Sequence, residues 1–214
     1  MLDQETIDQI VQFHGHLCPG LAMGIRAAEV ALAETGAHAV DEEVVAIVET
    51  DMCGVDAVQF LTGCTFGKGN LIHLDYGKNA YTFIRRADGK AVRVSGRPRS
   101  WDSADPDHEA VFARVHSGSA TKADMARFWE IQKERSQAVL EQPLEDLYEV
   151  RHVDAEIPPA ARVMASITCA GCGEPTMETR IHRLDGRELC VPCFEAGLRG
   201  EAPVVFSVAG GSGS

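Results

Sequence analysis

Four cysteines near the carboxyl end of this 214-residue chain form a C-x2-C-x17-C-x2-C array: Cys169, Cys172, Cys190 and Cys193. Zinc prefers four soft ligands in a tetrahedron, and each C-x2-C pair supplies two thiolates from one tight turn. Residues 179–189 are predicted to form a hairpin around Asp185-Gly186, which returns the second pair to the first. A segment this short cannot build its own hydrophobic core, so the metal must supply most of its folding free energy.

The array is predicted to be structural, because four thiolates leave the zinc no open position for a substrate. A redox dithiol is the weaker alternative. From residue 166 onwards the chain has four arginines and six acidic residues, which argues against nucleic-acid binding and favours a protein-contact or dimer-building role.

The chain divides by sequence into four parts. We expect an α+β core domain over residues 1–157 and a linker over 158–165, marked by two consecutive prolines. A small zinc-ribbon or treble-clef-like domain follows over 166–205. The remaining tail, 206–214, ends in glycine and serine like an appended linker.

The composition narrows the class of protein. A net charge of −12 argues against binding to nucleic acid or to a membrane surface. No apolar run approaches the roughly 20 residues of a membrane span. The acidic first residues do not resemble a signal peptide. We therefore expect a cytoplasmic protein, in which paired cysteines bind metal more often than they form disulfides.

Hydrophobic periodicity and turn residues predict the elements of the core. Helices are expected at 6–14, 19–34, 54–61, 106–116 and 122–141. Strands are expected at 44–48, 71–74, 80–85, 91–95 and 148–153. Small residues give the second helix a slim face that another backbone can approach closely. The order of helices, then strands, then helices favours the α+β class over a doubly wound sheet.

A second group of metal-binding residue types lies at the break between the first two predicted helices. His14, His16 and Cys18 fall within five residues. Imidazole and thiolate both suit zinc, iron, nickel or copper. Because Pro19 suits the first position of a helix, Cys18 is predicted at a helix N-terminus, where the helix dipole favours the thiolate.

Two further cysteines accompany this group. Cys53 follows the first predicted strand and precedes a helix, so the same electrostatic argument applies to it. Glu49 and Asp51, on that turn, are candidates for a ligand, a general base or a group that orients a ligand. Cys64 opens a glycine-rich loop, 63–69. The competing interpretation is that these residues only pack or cap the core, since free cysteines are often buried.

The loop 63–69 lacks the spacing of a phosphate-binding Walker loop. It can still offer backbone N–H groups and Lys68 to an anion. Residues 68–99 carry eight basic and two acidic side chains in an otherwise acidic chain. A surface for an anionic ligand or partner and a solvated hairpin face both fit this pattern.

Three segments together resemble the FmdE family, the E-subunit family of formylmethanofuran dehydrogenase: FHGHLCPGL at 13–21, DMCGVDA at 51–57 and TGCTFGKGN at 62–70. The C-terminal array fits family members with an added zinc-ribbon-like domain. The resemblance implies an α+β core, an intertwined homodimer and a metal or active site at the histidine and cysteine positions. By motif it implies His16, Cys18 and Cys53 first, then His14 and Cys64.

Three functions follow from these patterns. The first is a metal-dependent enzyme or accessory subunit in one-carbon or molybdenum/tungsten redox metabolism, with a second metal at His16, Cys18 and Cys53. In it, Asp51 or His14 handles protons, and the basic stretch attracts an anionic small molecule or a redox-enzyme partner. The second is a metal sensor or regulator that reaches a partner through the zinc module. The third is a thiol redox protein that uses Cys18 and Cys53.

Overall fold

The structure, a computed structural model, describes residues 2–98 and 106–202. The chain divides into two compact units, the first ending at Ala161 and the second beginning at Arg162. Arg99 and the tail 206–214, which figure in the sequence predictions, lie outside the described residues. Over the described ranges, no helix is both long and apolar enough to cross a membrane.

The first unit has the mixed helix and strand content that the sequence predicts. Its helices are α1 (Gln4–His14), α2 (Pro19–Thr35), α3 (Gly54–Thr62), α4 (Pro106–His116), α5 (Lys122–Glu141) and the short α6 (Leu144–Leu147). Its strands are β1 (Val44–Val48), β2 (Leu71–His73), β3 (Ala80–Arg85), β4 (Ala91–Gly96) and β5 (Tyr148–His152). Every predicted helix and strand of the core is present, with ends that differ by at most two residues. Only α6 is additional among the described residues of this unit.

The five strands form one sheet in the order β2-β1-β3-β4-β5. β1 pairs in parallel with β2, to which α3 connects it, and all the other pairs are antiparallel. At the end of β1, Val48 lies opposite His73 on one side and Tyr81 on the other. The turn after β1 therefore leaves the sheet at the edge where β2 ends and β3 begins.

Helices α2 and α3 pack unusually closely at two glycines. A Cβ on Gly24 would lie 2.2 Å from the carbonyl oxygen of Gly54. The slim face predicted for the second helix is thus confirmed, and α3 is the element that uses it. Because Gly54 begins α3, this contact brings the turn before α3 against the start of α2.

The second unit consists of two small hairpins and a helix. Strands β6 (Ser166–Thr168) and β7 (Pro175–Met177) form the first hairpin, and β8 (Ile181–Leu184) and β9 (Arg187–Cys190) form the second. Helix α7 (Val191–Leu198) follows. Asp185 and Gly186 have φ values of 50° and 77°, the backbone that a two-residue hairpin turn requires. The predicted hairpin is therefore confirmed.

Candidate metal and thiol site

Three predicted site residues converge where α1 ends and α2 begins. His14 is the last residue of α1, and Gly15, with φ of 102°, turns the chain away from the helix. His16 and Cys18 then precede Pro19, the first residue of α2. Ligand atoms of His14, His16 and Cys18 all lie within 4.8 Å of one another. Two imidazoles and one thiol are therefore close enough to share one metal ion.

His14 is held in a fixed orientation by a carboxylate of α3. Its Nδ1 lies 2.7 Å from Oδ2 of Asp56. Its other nitrogen, Nε2, is buried and has no hydrogen-bond partner among the residues that the structure describes. Metal-binding histidines commonly donate one ring N–H to a carboxylate and present the other nitrogen to the ion. The surroundings of His14 have this form.

His16 is exposed and lies between two aromatic rings. Its ring centroid is 4.7 Å from that of His14 and 5.5 Å from that of Trp129 in α5. Partial burial lowers the pKa of His16, and the neighbouring His14 lowers it further. Both effects favour the neutral imidazole, which is the form that binds a metal.

The close packing of α2 and α3 places Cys18 beside Cys53. A Cβ on Gly20 would lie 3.9 Å from the sulfur of each cysteine. The Cys18 sulfur also accepts a hydrogen bond from the N–H of Leu21 at 3.4 Å, and so caps α2. Cys53 occupies the same position before α3, but its side chain makes no capping hydrogen bond. Both thiols are free in the structure.

The predicted preference of Cys18 for the thiolate is not what this environment produces in the absence of a metal. Burial raises the pKa of Cys18 to about 11, and proximity to Cys53 contributes to the increase. The N–H groups at the start of α2 act in the opposite direction but are outweighed. The sequence argument counted the helix terminus and could not count the desolvation. A bound cation would restore the thiolate, since metal ligation deprotonates a thiol.

A cleft of about 430 Å³ opens beside this cluster. Its lining includes His14, Asp51, Cys53, Asp56 and His73. Asp51 is exposed there, on the turn after β1. This volume lies within the range of ordinary small-molecule sites, about 300–1,000 Å³. The cleft gives a ligand access to the histidine side of the cluster.

Cys64 does not join the cluster. It is fully buried, and its sulfur donates to the carbonyl of Val44, 3.4 Å away. Val44 begins β1, whereas the site lies beyond the other end of that strand. Burial also raises the pKa of Cys64, so the thiol is favoured. The predicted site role of Cys64 is thus corrected to core packing, because the turn after α3 points the side chain into the core.

The surroundings of Lys68 argue against its predicted role as an anion ligand. Its Nζ donates to the carbonyl oxygens of Ala39 at 2.9 Å, Asp41 at 3.1 Å and Val40 at 3.5 Å. An ammonium group has three hydrogens, and three carbonyls engage them. Lys68 therefore fastens the glycine-rich loop to the segment that precedes β1.

The other basic side chains between residues 68 and 98 are also engaged within the chain, which favours the solvated hairpin over an anion-binding surface. Glu49, a candidate ligand or base, instead forms a two-pronged ion pair with Arg93, one prong being 3.0 Å long. The remaining pairs are Arg85 with Asp88, Arg86 with Glu42, Lys90 with Glu34, the Arg97 side chain with the Glu145 carbonyl, and Lys78 over the Tyr76 ring.

Three residues at the site escaped the sequence argument. Asp56, which orients His14, is 42 positions away in sequence, and only its place in the first turn of α3 hinted at a role. Trp129 comes from α5, far along the chain. Tyr81 comes from β3, and its hydroxyl lies against Gly54. None belongs to a local motif, so only the fold could bring them here.

The four cysteines of the second unit also converge. Their sulfur atoms lie within 4.8 Å of one another, which confirms the predicted cluster. Cys169 and Cys193 are 1% and 3% exposed and form a small core with Leu189. Burial opposes ionisation of Cys169, but backbone N–H donors, led by that of Cys190, lower its pKa to about 6. A thiolate environment of this kind suits structural zinc.

These features define a class of protein: an α+β core with a histidine–cysteine cluster, joined to a four-cysteine zinc finger. The family model FmdE, described as "Molybdenum formylmethanofuran dehydrogenase operon", matches residues 13–149. The prokaryotic dksA/traR C4-type zinc finger matches residues 165–196. The chain belongs to the FmdE family, as the motifs predicted, and carries an added C4 zinc finger.

Two known proteins resemble this chain over most of its length. A "Probable S-adenosyl-L-methionine-binding protein" from Archaeoglobus fulgidus is 36% identical over 192 residues. The match covers 85% of this chain and 50% of that protein, so the chain spans about half of its relative's length. The crystal structure of an FmdE-like protein of tungsten formylmethanofuran dehydrogenase, from Syntrophus aciditrophicus, has a TM-score of 0.57 and 25% identity. That match covers 89% of this chain and 91% of the other.

Proposed function

We propose that the first unit binds a second metal ion through His14, His16 and Cys18, with Cys53 beside it. On this site the protein acts as a metal-dependent enzyme or as an accessory subunit in one-carbon or molybdenum/tungsten redox metabolism. The observation that carries the proposal is the buried Nε2 of His14, which has no partner in the described part of the chain. An unpaired buried nitrogen is costly unless something binds it.

The donor set fits a transition metal. Two imidazole nitrogens and one sulfur suit zinc, iron, nickel or copper, and three protein ligands leave a position open in a catalytic site. When bound, such an ion supplies a Lewis acid next to the cleft. Asp56 orients His14, and the exposed Asp51 can exchange protons between the cleft and solvent. Cys53 is placed to complete or adjust the ligand set.

The metabolic part of the proposal draws on the relatives. The family description names a molybdenum formylmethanofuran dehydrogenase operon, and the solved neighbour is described as an FmdE-like protein of the tungsten enzyme. The relative from Archaeoglobus fulgidus is described as binding S-adenosyl-L-methionine, but half of that protein has no counterpart here. Calorimetric titration with S-adenosyl-L-methionine tests whether that property extends to this chain.

Elemental analysis of freshly purified full-length protein tests the metal site. We expect about two metal equivalents per chain, one of them zinc in the C4 finger. Cys18→Ser should lower the total to about one, and so should His14→Ala. Cys64→Ala is the matched control, because it removes a core cysteine outside the cluster and should keep both metals. A wild-type value of about one, equal to that of Cys18→Ser, would remove the basis of the proposal.

The C4 finger match supports a second candidate, a metal sensor or regulator that reaches its partner through the finger. This function predicts partner binding that depends on metal in the first unit and occurs without turnover. Co-purification with the full-length chain, and with a chain ending at Pro158, tests it. If both chains retain the same partners, the finger does not mediate the contact.

A homodimer is part of the proposal. Met52 and Phe66 are 66% and 78% exposed, and both lie at the cleft beside the metal site. Large apolar side chains exposed together at a site favour contact with another surface. Sedimentation equilibrium should give a mass of about twice the 23.1 kDa of one chain. A concentration-independent single-chain mass would contradict this part.

A further inference from the structure

A second, smaller cavity adjoins the cysteine pair, and no histidine lines it. Its lining includes Gly20, Thr50, Gly54, Asn79 and Tyr81. Its volume is about 180 Å³, below the roughly 300–1,000 Å³ typical of drug-sized ligands. It therefore admits a molecule of a few heavy atoms, or one end of a longer molecule.

The Tyr81 side chain is the polar group most completely buried at this cavity. Tyr81 is 1% exposed, and a Cβ on Gly54 would lie 2.5 Å from its hydroxyl oxygen. None of the hydrogen bonds among the described residues involves this hydroxyl. Burial raises the pKa of Tyr81, and the charge of Cys53 raises it further, so the hydroxyl keeps its proton. A buried donor without an acceptor is unfavourable, and a ligand oxygen would satisfy it.

The start of α3 adds a second source of hydrogen bonding at the same place. Gly54 is the first residue of this nine-residue helix, so its N–H has no partner within the helix. The helix dipole gives that end a partial positive charge. No lysine or arginine lines the cavity. Neutral donors of this kind suit a carbonyl oxygen, whether it belongs to an amide or to a carboxylate.

The cavity also adjoins the reactive groups. Gly20 forms part of its wall, and a Cβ there would lie 3.9 Å from the sulfurs of both Cys18 and Cys53. Thr50 lines both this cavity and the larger cleft at His14. A ligand held by Tyr81 would thus have one end beside the thiol pair.

We infer that this cavity binds the oxygen of a small carbonyl compound, with the Tyr81 hydroxyl and the first N–H of α3 as donors. The inference rests on the proposed function and deepens it, since it names the class of ligand that the metal and thiol site receives. Tyr81 is a positioning residue, which fixes the carbonyl group next to Cys53.

Two probes of equal size test the inference and distinguish the two kinds of carbonyl. Binding of acetate and of acetamide to the full-length, metal-loaded protein is measured by saturation-transfer NMR with titration. We expect at least one of them to bind; preference for acetamide indicates a neutral carbonyl, and preference for acetate a carboxylate. Tyr81→Phe should weaken binding about tenfold, because it removes one buried donor and keeps the ring.

Two further variants keep the test decisive. Gly20→Ala narrows the cavity, yet its Cβ would meet no atom closer than 3.4 Å, so the fold should persist while binding weakens. Tyr76→Phe is the matched control, because Tyr76 is 59% exposed and does not line the cavity; its affinity should equal that of wild type. Melting temperatures check the fold of each variant, and Gly20→Ala decides the matter if Tyr81→Phe does not fold.

Metal content measured on the same samples separates the two proposals. If the second metal is present and neither probe binds, the carbonyl site is refuted and the metal site stands. If a probe binds and the second metal is absent from wild type, the metal proposal fails and the cavity assignment stands. Unchanged affinity in both Tyr81→Phe and Gly20→Ala would also overturn the carbonyl site.

Discussion

Replacing Asp56 should weaken the second metal site without removing any of its ligands. Asp56 lies in the first turn of α3 and accepts a hydrogen bond from Nδ1 of His14 over 2.7 Å. This contact directs the unpaired Nε2 of His14 towards the other donors of the cluster. Without it the imidazole can rotate or change tautomer, so metal binding must bear the cost of ordering the ring.

The expected magnitude follows from the exposure of the pair. Loss of a carboxylate that orients a metal-binding histidine typically costs about 10–100-fold in metal affinity. The His14 side chain is 11% exposed, but that of Asp56 is 39% exposed, and solvent screens the interaction. We therefore expect Asp56→Asn, which keeps an acceptor, to cost about tenfold, or about 1.4 kcal/mol. Asp56→Ala, which keeps none, should cost more, up to about 100-fold.

Competition with a chromophoric chelator for Co²⁺, with the C4 finger already filled with zinc, measures this affinity. Asp8→Asn is the control, because Asp8 lies on α1 and contacts the exposed Gln4 side chain over 2.8 Å. The ranking from wild type through Asn to Ala is the signature of an orienting acceptor. Equal affinity in wild type and Asp56→Ala would refute the argument that His14 is a ligand held by Asp56.

Three further predictions concern stability. Arg93→Met should destabilise the fold by about 1–3 kcal/mol at pH 7, because it leaves the buried Glu49 carboxylate without its partner. The hydrogen bonds from Arg93 lower the pKa of Glu49 below 4.5, so this pair stabilises the fold above that pH and the effect is lost as the pH falls through the lowered pKa; urea denaturation from pH 7 to pH 3 measures it. Gly24→Ala should cost about 1–3 kcal/mol or more in the same assay, because its Cβ would overlap the backbone of α3, whereas Gly67→Ala meets open space and should change little. Chelation of zinc should unfold the second unit, seen as loss of NMR amide dispersion for residues 166–198, while the signals of the first unit persist.

Each of these predictions has a contradicting result. A stability difference between wild type and Arg93→Met that stays constant down to pH 3 would show that the ion pair does not depend on Glu49 ionisation. Equal stability of Gly24→Ala and Gly67→Ala would show that α2 and α3 do not pack as closely as described. Retention of amide dispersion in the second unit after chelation would mean that it folds without metal.

The sequence located most of the elements because their signals are local. Apolar periodicity and the Pro19 and glycine boundaries predicted the helices and strands of the first unit to within two residues. The C-x2-C pairs predicted the finger, since each pair forms its half-site from one turn. His14, His16 and Cys18 were predictable for the same reason, as they share a short segment.

The failures arose where a neighbour distant in sequence decides the environment. Lys68 reads as a free cation beside glycines, but three carbonyls of the preceding segment engage it. Cys64 reads as another member of the cysteine group, but its loop buries it at the opposite end of β1. A helix terminus predicts a thiolate at Cys18, whereas burial between α2 and α3 favours the thiol. None of these effects can be evaluated from residue spacing.

The sequence alone therefore determined the α+β class, the C4 finger and the segment that carries two histidines and a cysteine. These depend on residues within one turn or one helix of each other. Only the tertiary structure decided that Asp56 orients His14, that Cys53 adjoins Cys18, and that the Tyr81 hydroxyl faces a small cavity beside them. The physical reason is that orientation, desolvation and cavity shape depend on atoms from several elements. Here the close contact of α2 and α3 at Gly24 brings those atoms together.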